Sequence, residues 1–152
     1  MFFLGQTERS IDEKSRIALP MEMREGFISG VVYATPGPDG AIWLFPEEAF
    51  GDATQSLKQS LLQDEDLMEF LDIFYAHSKR LELDRQGRIR LPEMLMRYAN
   101  LVSEAFVNGA GELVKVRNVA GWAEKCDENL PRLQELTKTL FSKGYGSGSL
   151  KE

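Results

Sequence analysis

The sequence predicts a mainly β protein of the α+β class, built from one unit that is used twice. Two observations lead to this prediction. Residues 12–20 recur in altered form at residues 84–92, with Asp, Arg, Ile, Leu and Pro in the same places. Short segments that alternate between apolar and polar residues, separated by turn residues, then predict hairpins in each unit. Duplicated units bury their cores against each other. Each residue is therefore interpreted together with its counterpart in the other unit.

The duplication extends well beyond the motif. At the same spacing of 72 residues, Phe2 falls on Phe74 and Ile42 falls on Val114. Hydrophobic class is therefore kept in segments far from the motif, which a chance match would not do. We interpret the two halves of the chain as copies of one supersecondary unit.

The repeat places boundaries near residues 72 and 144. Residues 1–72 form the first repeat, residues 73–144 form the second, and residues 145–152 form a tail that is expected to be disordered. With 152 residues and 43% hydrophobic content, the chain is long enough for two small units that share a core. Two independent domains of this size would be marginally stable.

Each motif predicts a strand, a tight turn and a second strand. Asp12 and Asp84 stand at the first position of the turn, where a carboxylate accepts a hydrogen bond from the backbone two residues on. Gly87 suits a left-handed conformation at the end of the second turn, and Ser15 occupies the matching place in the first. If that place is left-handed, Ser15 should cost about 1 kcal/mol relative to Gly.

The remaining elements follow in the same order in both repeats. A proline ends the second motif strand, and a short helical turn follows it, at residues 21–25 and 93–98. Two further strands are expected in each repeat, at residues 31–35, 41–45, 104–108 and 113–117. Helices are then expected through Leu57, Leu61 and Leu62, from Asp64, from the capping residue Asn118, and from Pro131. Their apolar stripes are interpreted as packing between the two units or between subunits.

The composition argues against several function classes. The chain shows no signal-peptide pattern and no stretch near the ~20 apolar residues of a membrane span, so a soluble, cytoplasmic protein without membrane association is expected. A single cysteine, Cys126, and a single histidine, His77, exclude an internal disulfide and a standard zinc site. The usual phosphate-binding glycine motifs are missing. We therefore expect no cofactor, no metal and no enzymatic activity.

Charge is distributed unevenly along the chain. The formal net charge is −6, but residues 47–72 carry eight acidic residues against the single Lys58. Residues 77–97, which contain the second motif, carry six basic residues against three acidic ones. An overall balance hides such local fields, so the acidic total does not exclude an anionic partner for the second motif.

The Asp and Arg of each motif have two interpretations. In the structural one, Asp12 and Asp84 fix the turn while Arg16 and Arg88 form ion pairs or cover the core with their aliphatic stems. In the functional one, these arginines reach outward for phosphates or guanine edges, which the forked guanidinium suits. Physical chemistry alone favours the structural interpretation, although one side chain can do both.

Two such motifs in one chain, each followed by an apolar strand ending in Pro, with Trp-Leu-Phe-Pro at residues 43–46, resemble the MraZ family of bacterial transcriptional regulators. The resemblance runs from Met1 to about Leu140. A single copy of the motif is shared with the wider AbrB-like group, which includes antitoxins, whereas two copies favour MraZ. The resemblance implies a tandem swapped-hairpin AbrB-like β-barrel, an intrachain pseudo-dimer with flanking helices.

The resemblance also implies a function. Members of the family assemble into ring-shaped homo-oligomers and bind double-stranded DNA at short G-containing direct repeats, in the promoter of a cell division and cell wall gene cluster. This implies a protein associated with the nucleoid. A ring presenting many weak basic turns would gain from high effective concentration on spaced repeats.

In that family the motif arginines contact DNA, and they correspond to Arg16 and Arg88 here. The residues that set the turns correspond to Asp12, Asp84 and Gly87. The flanking basic residues are additional candidates: Lys14, Arg85 and Arg90. Because the first motif has Ser15 in place of the usual Gly and fewer basic residues, we expect the second motif to bind DNA more strongly.

Two rival hypotheses remain. The chain could be a structural or protein-interaction module, in which the acidic segment 47–72 docks a basic partner and the motif arginines form internal ion pairs. An enzyme is the third and least favoured interpretation, since its activity would have to depend on a cleft carboxylate or on His77.

Overall fold

The computed structural model describes residues 1–59 and 64–145. Leu61 and Leu62, and the predicted tail beyond Tyr145, lie outside these residues. Contacts divide the chain into two units, Met1–Val119 and a C-terminal unit from Ala120. Both motifs lie in the first unit.

The strands and short helices occur close to where the sequence predicts them, except that the strand predicted at residues 10–12, before the first turn, lies earlier in the chain. The strands of the first repeat are β1 (Gln6–Ser10), β2 (Arg16–Ala18), β3 (Val31–Pro36) and β4 (Ile42–Pro46). Those of the second repeat are β5 (Lys79–Glu82), β6 (Arg88–Arg90), β7 (Glu104–Gly109) and β8 (Val114–Arg117). The helices of the first unit are α1 (Met21–Arg24), α2 (Glu47–Gln59), α3 (Glu65–Ala76) and α4 (Glu93–Tyr98). The predicted α+β class is confirmed, but the prediction of a mainly β chain is wrong, because the described helices together contain more residues than the strands.

The C-terminal unit is helical. Helix α5 (Val119–Asn129) begins at the boundary, and a 3₁₀ turn (Leu130–Arg132) precedes α6 (Leu133–Ser142). Pro131 stands in that turn, where its missing amide hydrogen does no harm. The predicted start of a helix at this proline is therefore confirmed to within two residues.

The main sheet interleaves the two repeats. Its strand order is β1-β7-β8-β4-β3-β5, and every neighbouring pair is antiparallel. Strand β1 pairs with β7 of the second repeat, and β5 pairs with β3 of the first. Each repeat thus supplies its first strand to the hairpin of the other. Strands β1, β3 and β4 of the first repeat correspond to β5, β7 and β8 of the second. Replacing each strand by its counterpart gives the same order read from the opposite edge, so a pseudo-two-fold axis passes between β8 and β4.

A two-stranded ribbon of β2 and β6 repeats this symmetry on a smaller scale. Ile17 lies opposite Ile89, so the corresponding residues of the two motifs face each other. The backbone amide of Leu19 donates to the Gly87 carbonyl at 2.9 Å, and the amide of Leu91 donates to the Ser15 carbonyl at 2.8 Å. These two hydrogen bonds are equivalent under the repeat, so the ribbon is a reciprocal contact between the two motifs.

One core is shared by both repeats. Side chains from both motif strands are fully or almost fully buried in it, namely Ile17, Leu19, Ile89 and Leu91. Burial of such a side chain stabilises a fold by about 1.5–3 kcal/mol. Each repeat buries its motif strand against the other repeat. We therefore expect that neither repeat could bury these side chains if it were isolated.

Apolar side chains remain exposed on several helices, including α3 and α6. On α3, Leu71 is buried, but Met68, Phe70 and Ile73 are about half exposed. On α6, Leu133, Leu136 and Leu140 are exposed. No helix among the described residues is long and apolar enough to cross a membrane.

Candidate nucleic-acid interface

The first motif turn is organised by the carboxylate of Asp12. Its Oδ1 accepts hydrogen bonds from the backbone amides of Lys14 and Arg16, each at 2.9 Å. Its Oδ2 accepts from Arg16 Nε at 2.7 Å. Ser15 closes the turn with its amide on the Asp12 carbonyl and has φ 62°. Ser15 therefore occupies the left-handed conformation, and the condition stated for its cost relative to Gly is met.

The second turn has the same geometry. Asp84 Oδ1 accepts from the amides of Gln86 at 2.8 Å and Arg88 at 2.9 Å, and Oδ2 accepts from Arg88 Nε at 2.8 Å. Gly87 stands at the left-handed position with φ 72°. All of these contacts link residues two to four positions apart, so each aspartate organises its turn through near neighbours in the motif.

Hydrogen bonding lowers the pKa of both turn carboxyl groups. The hydrogen bond from the Arg16 amide is the largest influence on Asp12; it lowers the pKa of this carboxyl against the smaller opposing effect of burial. The amide of Arg88 lowers the pKa of Asp84 in the same way. Hydrogen bonds to the charged form favour that form. Each carboxylate therefore remains a fixed anchor for its arginine at neutral pH.

Anchoring through Nε leaves the outer end of each arginine unoccupied. The Nη nitrogens of Arg16 and Arg88 have no hydrogen-bond partner among residues 1–59 and 64–145. Their side chains are 33% and 28% exposed. A guanidinium offers five N–H donors, and the ion pair uses the one on Nε. The structural and the functional interpretations of these arginines are therefore compatible, since one side chain can hold the turn and bind a ligand.

Strand alternation places the two arginines on one surface. Ile17 and Ile89 point into the core, so the residues on either side of them lie on the opposite face of the ribbon. On this face, Arg16 is paired with Arg90, and Arg88 is paired with Ala18. We call this surface the ribbon face; it consists of those four residues.

The flanking basic residues extend the ribbon face toward the turns. Lys14 and Arg85 are exposed at the two turns, and Arg90 Nε donates to the Lys14 carbonyl at 3.0 Å. Since each motif arginine is neutralised by its own aspartate, the excess positive charge comes from these three residues. The first turn carries a second acidic residue besides Asp12, namely Glu13. The structure thus gathers all five predicted basic residues around one ribbon.

Arg24 is a basic residue that the sequence analysis did not single out. It lies at the end of α1, and its Nε donates to the Leu19 carbonyl at 2.7 Å. Its guanidinium packs against Gly87, where an added Cβ would overlap the Nε, Cζ and Cδ atoms. The contact joins residues 63 positions apart, so no local pattern pointed to it.

A second polar cluster joins the repeats away from the turns. Asp39 Oδ2 accepts from Lys115 Nζ at 2.8 Å and from Arg117 Nη2 at 3.0 Å, while Oδ1 accepts from the Trp43 indole at 2.9 Å. Burial by itself would raise the pKa of Asp39, but these donors, Lys115 first, hold it well below its usual range. The side chains of Asp39, Lys115 and Arg117 are at most 19% exposed, so the cluster supports the sheet.

The other candidates have local explanations. The Nδ1 atom of His77 lies 2.7 Å from the carbonyl oxygen of Ile73, at the C-terminal end of α3. Cys126 is half-buried on α5. Within the part of the chain that the structure describes, no group of His, Cys, Asp and Glu side chains is arranged to hold a metal ion.

The fold and the ribbon face define a class of protein: an α+β chain in which two strand-exchanged repeats carry a pair of aspartate-anchored arginine turns. A family model described as "MraZ protein, putative antitoxin-like" matches residues 74–141. The chain belongs to the MraZ family, as the resemblance in its motifs predicted.

Relatives match over most of the chain. A protein of Thermomicrobium roseum is 34% identical over 125 residues, which cover 82% of this chain and 87% of that protein. One from Moorella thermoacetica is 31% identical over 139 residues, covering 91% and 96%. One from Syntrophomonas wolfei is 30% identical over 142 residues, covering 93% and 99%. Each of the three is named "Transcriptional regulator MraZ".

Proposed function

We propose that this chain is a sequence-specific, DNA-binding transcriptional regulator and that the ribbon face is its DNA-contact surface. The observation that carries the proposal is the pair of arginines, Arg16 and Arg88, which are held by Nε and whose Nη ends have no hydrogen-bond partner among the described residues. The relatives named as transcriptional regulators support the same function. No enzymatic activity is included in the proposal.

The anchored arginine is suited to reading DNA. A guanidinium that is already held in one orientation loses less conformational entropy when it binds. Its free donors can contact a phosphate or the O6 and N7 atoms of guanine, and a good bidentate contact contributes about 1–3 kcal/mol of discrimination. In this proposal Arg16 and Arg88 read bases, while Lys14, Arg85 and Arg90 contact phosphates.

We further propose that the repeats, residues 1–72 and 73–144, form a swapped-hairpin AbrB-like barrel that acts as a pseudo-dimer. The exchange of β1 and β5 between the two hairpins supports this arrangement. The proposed target is a set of short direct repeats in the promoter of a cell division and cell wall gene cluster. The protein would then work in the cytoplasm, on nucleoid DNA.

A ring-shaped homo-oligomer would supply the affinity that one acidic chain lacks. Several linked turns on spaced repeats raise the effective concentration of each contact. An apolar surface suited to self-contact lies between α3 and α4, where Phe70, Ile73, Met94 and Tyr98 are about half exposed around a cavity of about 410 Å³. Ile73→Glu is expected to reduce the oligomer measured by size-exclusion chromatography with light scattering.

The test of DNA binding uses Arg16→Ala and Arg88→Ala, singly and together. Fluorescence anisotropy would measure affinity for the DNA upstream of the protein's own gene and for a scrambled duplex, at two salt concentrations. The control is Arg97→Ala, which removes an exposed arginine that pairs with Glu93 on α4. The proposal expects selective loss with the motif variants, unchanged folding by circular dichroism, and little effect of the control.

An interaction module remains the second candidate, because both motif arginines are in ion pairs with aspartates. In that case the acidic segment 47–72 would dock a basic partner. The interaction-module hypothesis expects the opposite result from these variants. Arg16→Ala and Arg88→Ala would unfold the protein, and the fraction that stays folded would bind DNA as the unaltered protein does. Equal affinity for the upstream and scrambled duplexes would also contradict the regulator.

A further inference from the structure

We infer that Arg24 is a phosphate-binding residue of the second turn and that Gly87 is required there because it leaves room for the Arg24 guanidinium. This inference rests on the proposed DNA-binding function. It adds a residue from outside the motif to the contact surface, and it gives a physical reason for the two turns to differ.

The position of Arg24 is fixed from two sides. Its Nε donates to the Leu19 carbonyl at 2.7 Å, and its guanidinium lies against the backbone of Gly87. Leu19 and Gly87 are themselves joined by a 2.9 Å backbone hydrogen bond. The guanidinium therefore spans the junction between β2 and the second turn. It contacts this turn at Gly87, the residue that precedes Arg88.

Arg24 also retains binding capacity. It is half-buried, and its Nη nitrogens have no hydrogen-bond partner within the described ranges. In contrast to Arg16 and Arg88, it has no carboxylate in a salt bridge among those residues. Its positive charge is thus not neutralised locally, and it lies beside a proposed DNA contact. A phosphate is the ligand that an unneutralised guanidinium with two free NH₂ groups suits best.

The first turn lacks this arrangement. At the spacing of 72 residues, Met96 corresponds to Arg24, and it packs against the hydrophobic core. Ser15 corresponds to Gly87 and carries the Cβ that Gly87 cannot accept beside Arg24. Met96 and Ser15 thus stand at the positions of the first turn that are equivalent to Arg24 and Gly87. The second turn gains one more cation than its motif alone provides.

The experiment measures how DNA affinity depends on salt for Arg24→Met, which copies the first turn, and for Arg24→Gln, which keeps a donor for the Leu19 carbonyl. Each lost phosphate contact lowers the slope of log K against log salt by about 0.9. Raising the salt from 50 to 200 mM weakens DNA binding by the unaltered protein. For each second turn that contacts DNA, this loss of affinity should be about three- to four-fold smaller in each variant. Arg97→Met is the control and should keep the original slope.

Gly87→Ser completes the test, because it should displace the guanidinium. The salt slope of Gly87→Ser should match that of Arg24→Met. The slope of the Arg24→Met, Gly87→Ser double variant should be no lower than that of either single variant. A folded Arg24→Met or Arg24→Gln protein with the original slope would overturn the inference, and so would failure of both to fold, which would make Arg24 purely structural. Arg88→Ala separates the two proposals: if it leaves DNA binding intact, the proposed function itself fails.

Discussion

Exchanging the residues at the two left-handed turn positions should change stability by unequal amounts. Ser15 and Gly87 have φ values of 62° and 72°, so both occupy a conformation that costs a non-glycine residue energy. If the backbone were the only factor, Ser15→Gly and Gly87→Ser would have equal and opposite effects. The surroundings of the two positions are different, and the difference predicts the asymmetry.

The magnitudes follow from the contacts of each position. Ser15→Gly relieves the left-handed strain and should stabilise the protein by about 1 kcal/mol. Gly87→Ser introduces the same strain, and its Cβ also displaces Arg24 from the Leu19 carbonyl. Loss of that hydrogen bond adds about 0.5–1.5 kcal/mol. We therefore expect Gly87→Ser to destabilise by about 2 kcal/mol.

Urea denaturation followed by circular dichroism measures both changes, provided that the slope with urea is the same in all variants. For a chain of this size, 1 kcal/mol corresponds to a change of about 2–4 °C in Tm. The control is Gly87→Ser in the Arg24→Met background, where its cost should fall to about 1 kcal/mol. Equal and opposite effects of Ser15→Gly and Gly87→Ser, or an unchanged cost in that background, would refute the role assigned to Arg24.

Three further predictions concern the core and the charged clusters. Ile89→Ala should cost about 2–5 kcal/mol in one cooperative urea transition, and two separable transitions would contradict a core shared by both repeats. Since Asp12 and Asp84 have lowered pKa values, their stabilisation is present above their ordinary pKa of 3.8 and is lost as the pH falls through the lowered values. The difference in Tm between the unaltered protein and the Asp12→Asn, Asp84→Asn double variant should therefore shrink between pH 6 and about pH 2, and a constant difference would argue against these anchors. Asp39→Ala leaves the charge of Lys115 poorly hydrated and should cost about 1–3 kcal/mol of unfolding free energy, whereas a cost below about 0.5 kcal/mol would show that the cluster contributes little.

The parts of the structure that the sequence predicts are those made by near neighbours. The aspartate of each motif bonds to residues two and four positions ahead, so Asp12 and Asp84 can be assigned from the motif alone. The left-handed position of Ser15 followed from its alignment with Gly87. Prolines and turn residues marked the ends of the strands for the same local reason.

Contacts between distant residues could not be predicted in this way. Strands were expected at residues 31–35 and 41–45, but the donation from Lys115 to Asp39, which lies between them, joins positions 76 apart. Helical spacing on α1 gave no sign that Arg24 would lie against Gly87. Strand register within the ribbon likewise depends on the pairing of whole repeats, which local pattern does not encode.

The reciprocal pairing of β2 and β6 has a consequence for polarity. Two turns related by a two-fold axis present the same side chains in opposite directions, as a palindrome does. Direct repeats have a direction, and a perfectly symmetric reader would bind them equally well when reversed. Arg24 and Gly87 on one side, with Met96 and Ser15 on the other, break that equivalence at the ribbon itself. If the proposed function holds, the divergence of the two copies would give a duplicated protein the means to distinguish the two orientations of a DNA site.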